Sequence, residues 1–337
     1  MKLVVTIDTE EDNWGAFSGP PSTRNAREIP RLQDLFDRYG VRPTYLLTYS
    51  MASDDRLVGY LNEARDQNRC EIGAHCHPWN TPPFLEMPKQ EHSMLSNLPM
   101  ALVKAKLTRL HEHLRERLEY SPTSFRSGRW GYGPYVASTL SRLGYLIDTS
   151  VTAFTDWRAI HGPNYSAIVP DLYRFSPRDI FEPDDTGSMV QLPASVGYLK
   201  GDFRRWNRVE NMIRSSPVKH LGLLGILDRL SILQKVAFSP EIATGQQMCR
   251  LVETFFQKKY RYINLFFHSS TLLPGLTPFV RTKSDRDAFL SRIEYLLAHL
   301  EERGITSVTA TEVAQAELGL RRNVAPSHSK TFLPELS

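Results

Sequence analysis

The chain has 337 residues, 41% of them hydrophobic and 23% charged, with a formal net charge of +4. That length buries a substantial core, and a mild charge without clustered Lys and Arg among stacking aromatics speaks against a nucleic-acid partner. Three cysteines, Cys70, Cys76 and Cys249, rule out a disulfide framework and suit a reducing compartment.

In chain order, "LVVTID" (3–8) reads as a buried strand ending on Asp8, with Glu10, Glu11 and Asp12 just beyond it. A strand followed at once by acids is not a secretory signal, so the expected location is the cytoplasm. "IPRLQDLFDRYG" has helical spacing and closes on Gly40 as a C-terminal cap. The strand-like runs "RPTYLLTY" (42–49) and "CEIGAHCH" (70–77) follow, the second carrying His75 and His77. Residues 101–120 form a long amphipathic pattern. "TSFRSG" (123–128) contains Arg126, and "YLIDTSV" (145–151) contains Asp148 and Ser150. Further strand-like runs are "SMVQLPASV" (188–196), "YINLFFHSS" (262–270), which holds His268, and "ITSVTA" (305–310); residues 285–304 are helical.

Strands alternating with helices predict an α/β fold with parallel strands, and a (β/α) barrel rather than an open sheet. Barrel chemistry sits at the C-terminal strand ends. Asp8, the His75/His77 pair, Arg126, Asp148 and His268 all lie at or just past such ends. The expected organisation is one catalytic barrel over residues 1–320, a helical insertion at about 200–260 and a flexible tail at 321–337. Within the insertion, "HLGLLGILDRLSILQKVAF" is strongly apolar; it reads as a core or lid-packing helix, with peripheral membrane contact as the alternative. No apolar run reaches the roughly 20 residues of a membrane span.

Residues two apart on a strand face the same side, so His75 and His77 can converge on one ion while Cys76 points away. Set in order, "TIDTEED", "EIGAHCHPWNTPP", "FRSGRWGYG", "LIDTSVTAFTDW" and "LFFHSSTLLPG" resemble the ordered motifs of the polysaccharide deacetylase family (NodB homology, carbohydrate esterase family 4). They run from residue 6 to 275, about four-fifths of the chain. The resemblance implies a distorted (β/α)7-8 barrel and metal-assisted removal of acetyl or similar acyl groups from N-acylated sugars. It implies Asp8 as general base, Arg126 as the partner that orients it, and His268 as the acid protonating the leaving amine. It further implies Glu10, His75 and His77 as ligands of a divalent metal, zinc being the expected ion.

Several positions depart from the family pattern. Thr9 stands where the second acid usually follows the base, which moves the carboxylate ligand to Glu10, with Glu11 and Asp12 in reserve. Trp79 stands where a histidine four residues after His75 is usual. Gly128-Arg129-Trp130 replaces the usual Pro-Tyr, leaving the Arg129 backbone amide as the implied oxyanion donor and Trp130 as a substrate contact. The fourth motif implies Trp157 as a wall of the acyl pocket, with Asp148 or Asp156 holding a histidine tautomer. The expected substrate is a saccharide, lipid- or nucleotide-linked, in glycan assembly. Two other readings stay open: a metal-independent C–N hydrolase such as a deformylase on the same fold, and a non-catalytic glycan-binding barrel. Retention of Asp8, Arg126 and His268 argues against the latter.

Overall fold

The computed structural model describes residues 1–15, 21–216, 222–230 and 232–320. Strand β1 (Lys2–Thr9) is buried along all but its first residue, because neighbours on both sides and helices on its outer face leave no solvent-facing side. Helix α1 (Ile29–Arg38), β2 (Thr44–Leu47), α2 (Asp55–Asp66), β3 (Glu71–Cys76), α3 (Met100–Leu118), β4 (Ser124–Ser127), α4 (Pro134–Arg142) and β5 (Ile147–Asp148) continue the expected alternation. As anticipated, α1 stops where Gly40 enters the left-handed region at φ 60°. The rhythm then breaks, with β6 (Tyr173–Phe175), β7 (Met189–Gln191) and β8 (Val196–Tyr198) following without an intervening α-helix. After them come α5 (Phe203–Ser215), α6 (Leu223–Arg229), β9 (Lys235–Ala237), α7 (Gly245–Gln257), β10 (Tyr262–His268), α8 (Lys283–Glu302) and α9 (Ala310–Leu318).

The main sheet has eight strands in the order β10-β1-β2-β3-β4-β5-β7-β6, every pair parallel except β6 with β7. It curls rather than closing on itself. The antiparallel pair of β8 and β9 lies against β10 instead. Phe238 N donates to Ser195 O (2.8 Å) and Phe266 N to Phe238 O (3.2 Å), while a bridge joins Thr152 to Ala194. The result is the distorted (β/α) barrel.

Three expectations need correction. The run 188–196 is not one strand: it breaks at residues 192–195 and contributes β7 to the main sheet and β8 to the antiparallel pair with β9. Residues 305–310 make only a bridge, Leu3 to Ser307, before Thr309 and Glu312 form a capping box that starts α9. The 200–260 segment is not all helical, since it contains β9, and α7 is the helix that leads into β10. The expected tail at 321–337 lies outside the described residues.

Candidate active site

Parallel register delivers the polar strand ends together. Asp8 on β1 pairs with His268 on β10, and His75 on β3 pairs with Arg126 on β4. These ends open into a cavity of about 610 Å³ lined by Asp8, Glu10, His75, His77 and His268 among others. That volume suits a small-molecule ligand.

Glu10, His75 and His77 are buried, with one donor atom from each lying within 4.8 Å of the others. The two Nε2 atoms are 2.9 Å apart, and Glu10 Oε2 is 3.3 Å from that of His77 and 3.7 Å from that of His75. Each imidazole is held from behind. His75 Nδ1 donates to the carbonyl oxygen of Arg126 (2.9 Å), and His77 Nδ1 to Glu11 Oε1 (2.8 Å). With both Nδ1 atoms serving as donors, the two Nε2 atoms face each other, an arrangement satisfied by a proton on one of them or by a cation shared between them. Burial works to lower the pKa of His77, yet Glu11 and Glu10 lift it to about 10. Two imidazoles, held by the Arg126 carbonyl and Glu11, and a carboxylate whose Oε1 accepts from Ser270 Oγ (3.2 Å) are a donor set that could hold a divalent cation.

Asp8 sits beside this cluster with its two oxygens differently engaged. Oδ1 accepts from Arg126 Nη1 (2.7 Å), while Oδ2 lies 3.7 Å from His268 Nε2 and 4.0 Å from His75 Nε2. Burial alone would raise the Asp8 pKa; Arg126, followed by His75 and His268, holds it below the usual carboxylate value. Arg126 is 1% exposed and is itself clamped, donating from Nε to Thr149 O (3.1 Å) and from Nη2 to Thr6 Oγ1.

His268 is oriented by Glu241, whose oxygens lie 3.0 and 3.1 Å from Nδ1. Glu241 also accepts from His268 N (3.1 Å) and from Thr271 Oγ1 (2.6 Å), so its own position is fixed. Burial opposes protonation of His268, but Glu241, Glu10 and Asp8 raise its pKa to about 9.

Aromatic rings wall the cavity. Trp14 meets His268 edge-on at 4.4 Å, and Trp79 stacks on His77 at 4.1 Å and 21°. Trp130 and Trp157 lie parallel at 6.3 Å, with Trp157 Nε1 donating to Thr152 Oγ1 (2.6 Å). Gly128 allows the turn after β4 to press on His77: a Cβ there would stand 2.4 Å from His77 Cδ2. Arg129 follows in the left-handed region, φ 53°, and lines the cavity.

No protein-family model matches the sequence, and no curated protein does either. Solved structures do match. A candidate polysaccharide deacetylase from Mycobacterium smegmatis aligns with a TM-score of 0.53 at 14% identity, covering 99% of this chain and 94% of that one. The chain has the polysaccharide deacetylase fold. A candidate glycoside hydrolase/deacetylase from Parabacteroides distasonis agrees, with a TM-score of 0.58 at 12% identity, over 93% of this chain and 70% of the other.

On this deacetylase fold the residues anticipated from sequence fall into two groups. Asp8, Glu10, His75, His77, Arg126 and His268 converge; Arg129, Trp130 and Trp157 line the same cavity. Of the acids after Asp8, Glu10 faces the histidine pair and Glu11 orients His77. Asp12 turns away to hold Ser22, Arg24 and Asn25. Asp156 does not join the site: it pairs with Arg158 (2.8 Å) with a side chain 40% exposed, because a local turn takes its charge outward. Among the described residues Asp148 holds no histidine. It accepts from Ser150 N (2.8 Å) and Ser150 Oγ (2.6 Å), and Ser150 Oγ accepts from Ser127 N (2.7 Å), so it props the turn after β4 from below. The tautomer-holding role falls to Glu11 and Glu241. Glu241 lies in a loop with no motif around it, so nothing local in the sequence marks it.

Proposed function

We propose that this protein is a metal-dependent hydrolase that cleaves the C–N bond of an N-acylated saccharide and releases the acyl group. The observation that carries the reading is the facing Nε2 pair of His75 and His77 with Glu10, flanked by Asp8, which Arg126 holds, and by His268, which Glu241 holds. Zinc suits the donor set. A bound divalent cation would polarise the acyl carbonyl and acidify the attacking water.

The chain's own groups divide the proton traffic. Asp8 Oδ2 takes the proton from the attacking water while Arg126 keeps Oδ1 occupied. His268 Nε2 gives a proton to the departing amine as the C–N bond breaks, and Glu241 stabilises the imidazolium that precedes this step. The Arg129 backbone amide serves the oxygen that gains charge. The aromatic walls accept the apolar faces of a sugar ring and exclude water. We place the activity in cytoplasmic glycan assembly, on a lipid- or nucleotide-linked saccharide. The test is acyl release from N-acetylated oligosaccharides by Asp8→Asn and His268→Ala. Each should lose at least about a hundredfold in rate, the scale of a missing base or acid; rates within a few-fold of wild type would refute the assignment.

A further inference from the structure

The loop that follows His77 is anchored by a residue far from the motifs. Lys106, on α3, is 0% exposed, a rare state for a lysine. Its ammonium donates to the carbonyl oxygens of Pro78 (2.8 Å), Thr81 (2.7 Å) and Pro83 (2.7 Å), and Glu86 lies 2.9 Å away. A lysine has three N–H donors, and all are spent on one short loop. That loop carries Trp79, whose ring lies against His77, and His77 is pressed from another side by Gly128 and held at Nδ1 by Glu11. An apolar residue at 106 would fill the space under α3 without desolvating a charge; the ammonium instead gathers carbonyls that no sheet ladder satisfies.

We propose that Lys106 is a positioning residue for the metal centre: it holds Trp79 on His77 and so fixes the direction of that imidazole toward Glu10 and His75. This rests on the metal reading given above. The experiment measures zinc affinity by chelator competition on wild type, Lys106→Met, Trp79→Ala and the combined variant, with thermal unfolding recorded alongside. Each single substitution should weaken zinc binding by about ten- to a hundredfold, as loss of an outer-shell support does. The combined variant should lose little more than either alone, because both act through one contact.

Lys106→Met that is folded and binds zinc within twofold of wild type would overturn the inference. So would a combined loss equal to the product of the single losses, which would place the lysine's effect elsewhere. Wild type that binds no zinc would bring down the metal reading itself, and this inference with it, whatever Lys106 does. Should Lys106→Met fail to fold, Lys106→Met/Glu86→Gln, which strands no buried carboxylate, replaces it under the same criteria.

Discussion

Replacing Glu241 with Gln isolates what that carboxylate does for His268. The substitution keeps the shape and one acceptor oxygen but removes a charge that lies 3.0 Å from Nδ1. Two unit charges about 4 Å apart at an effective dielectric near 20 interact by about 4 kcal/mol. At about 1.4 kcal/mol per pKa unit that is about 3 units. The His268 pKa stands at about 9 against a reference of 6.5, with burial opposing the rise and Glu10 and Asp8 sharing in it. Glu241→Gln should therefore lower it by about 2 units. The assay is ¹⁵N-histidine NMR titration of metal-free protein, with the resonance assigned by its loss in His268→Ala. The sign is fixed: removing an anion destabilises the imidazolium, so the midpoint moves down and the acid form disappears at lower pH. A midpoint that moves by less than half a unit, or upward, would refute the reasoning.

Two further outcomes follow from the buried charges. Arg126→Met strips the buried Asp8 of its hydrogen-bonded cation, leaving only the more distant His75 and His268, and should cost about 3–5 kcal/mol in urea unfolding, as broken buried pairs do; a cost below about 1 kcal/mol would mean that the pair carries little. Asp148, buried with its pKa raised from 3.8 to about 7, stays protonated in the folded protein where the unfolded chain is already ionised. Below its ordinary pKa it contributes nothing to pH dependence. Between about pH 4 and 7 it makes stability fall as pH rises, and above that the loss is complete. Asp148→Asn lacks this slope, so its unfolding free energy relative to wild type should rise across that window by on the order of 4 kcal/mol at most. A difference that stays flat from pH 4 to 8 would contradict the raised pKa.

Much of this site is legible in the sequence because strand ends do the placing. Asp8, His75, Arg126 and His268 close apolar runs, and a parallel sheet brings such ends to one rim. The two-residue spacing of His75 and His77 already gives them a common side. Past the end of a strand, spacing says less: Glu10, Glu11 and Asp12 stand in succession, yet one faces the histidine pair, one braces His77 and one caps a turn. Glu241 and Lys106 act through contacts between distant segments, 27 positions from His268 and 28 from Pro78, which no local pattern encodes. Asp156 faces Arg158 and solvent; a motif position carries no information about which way a loop turns. The same limit hid the fate of 305–310, where strand-like composition yields to the capping box of Thr309 and Glu312.

The most direct test of the account is elemental analysis of wild type and His77→Ala purified without chelator. The account predicts close to one divalent ion per chain in wild type, zinc foremost, and its loss in the variant. A wild-type protein that holds no metal even after reconstitution would contradict it, and would make His75 and His77 substrate contacts of a metal-independent hydrolase.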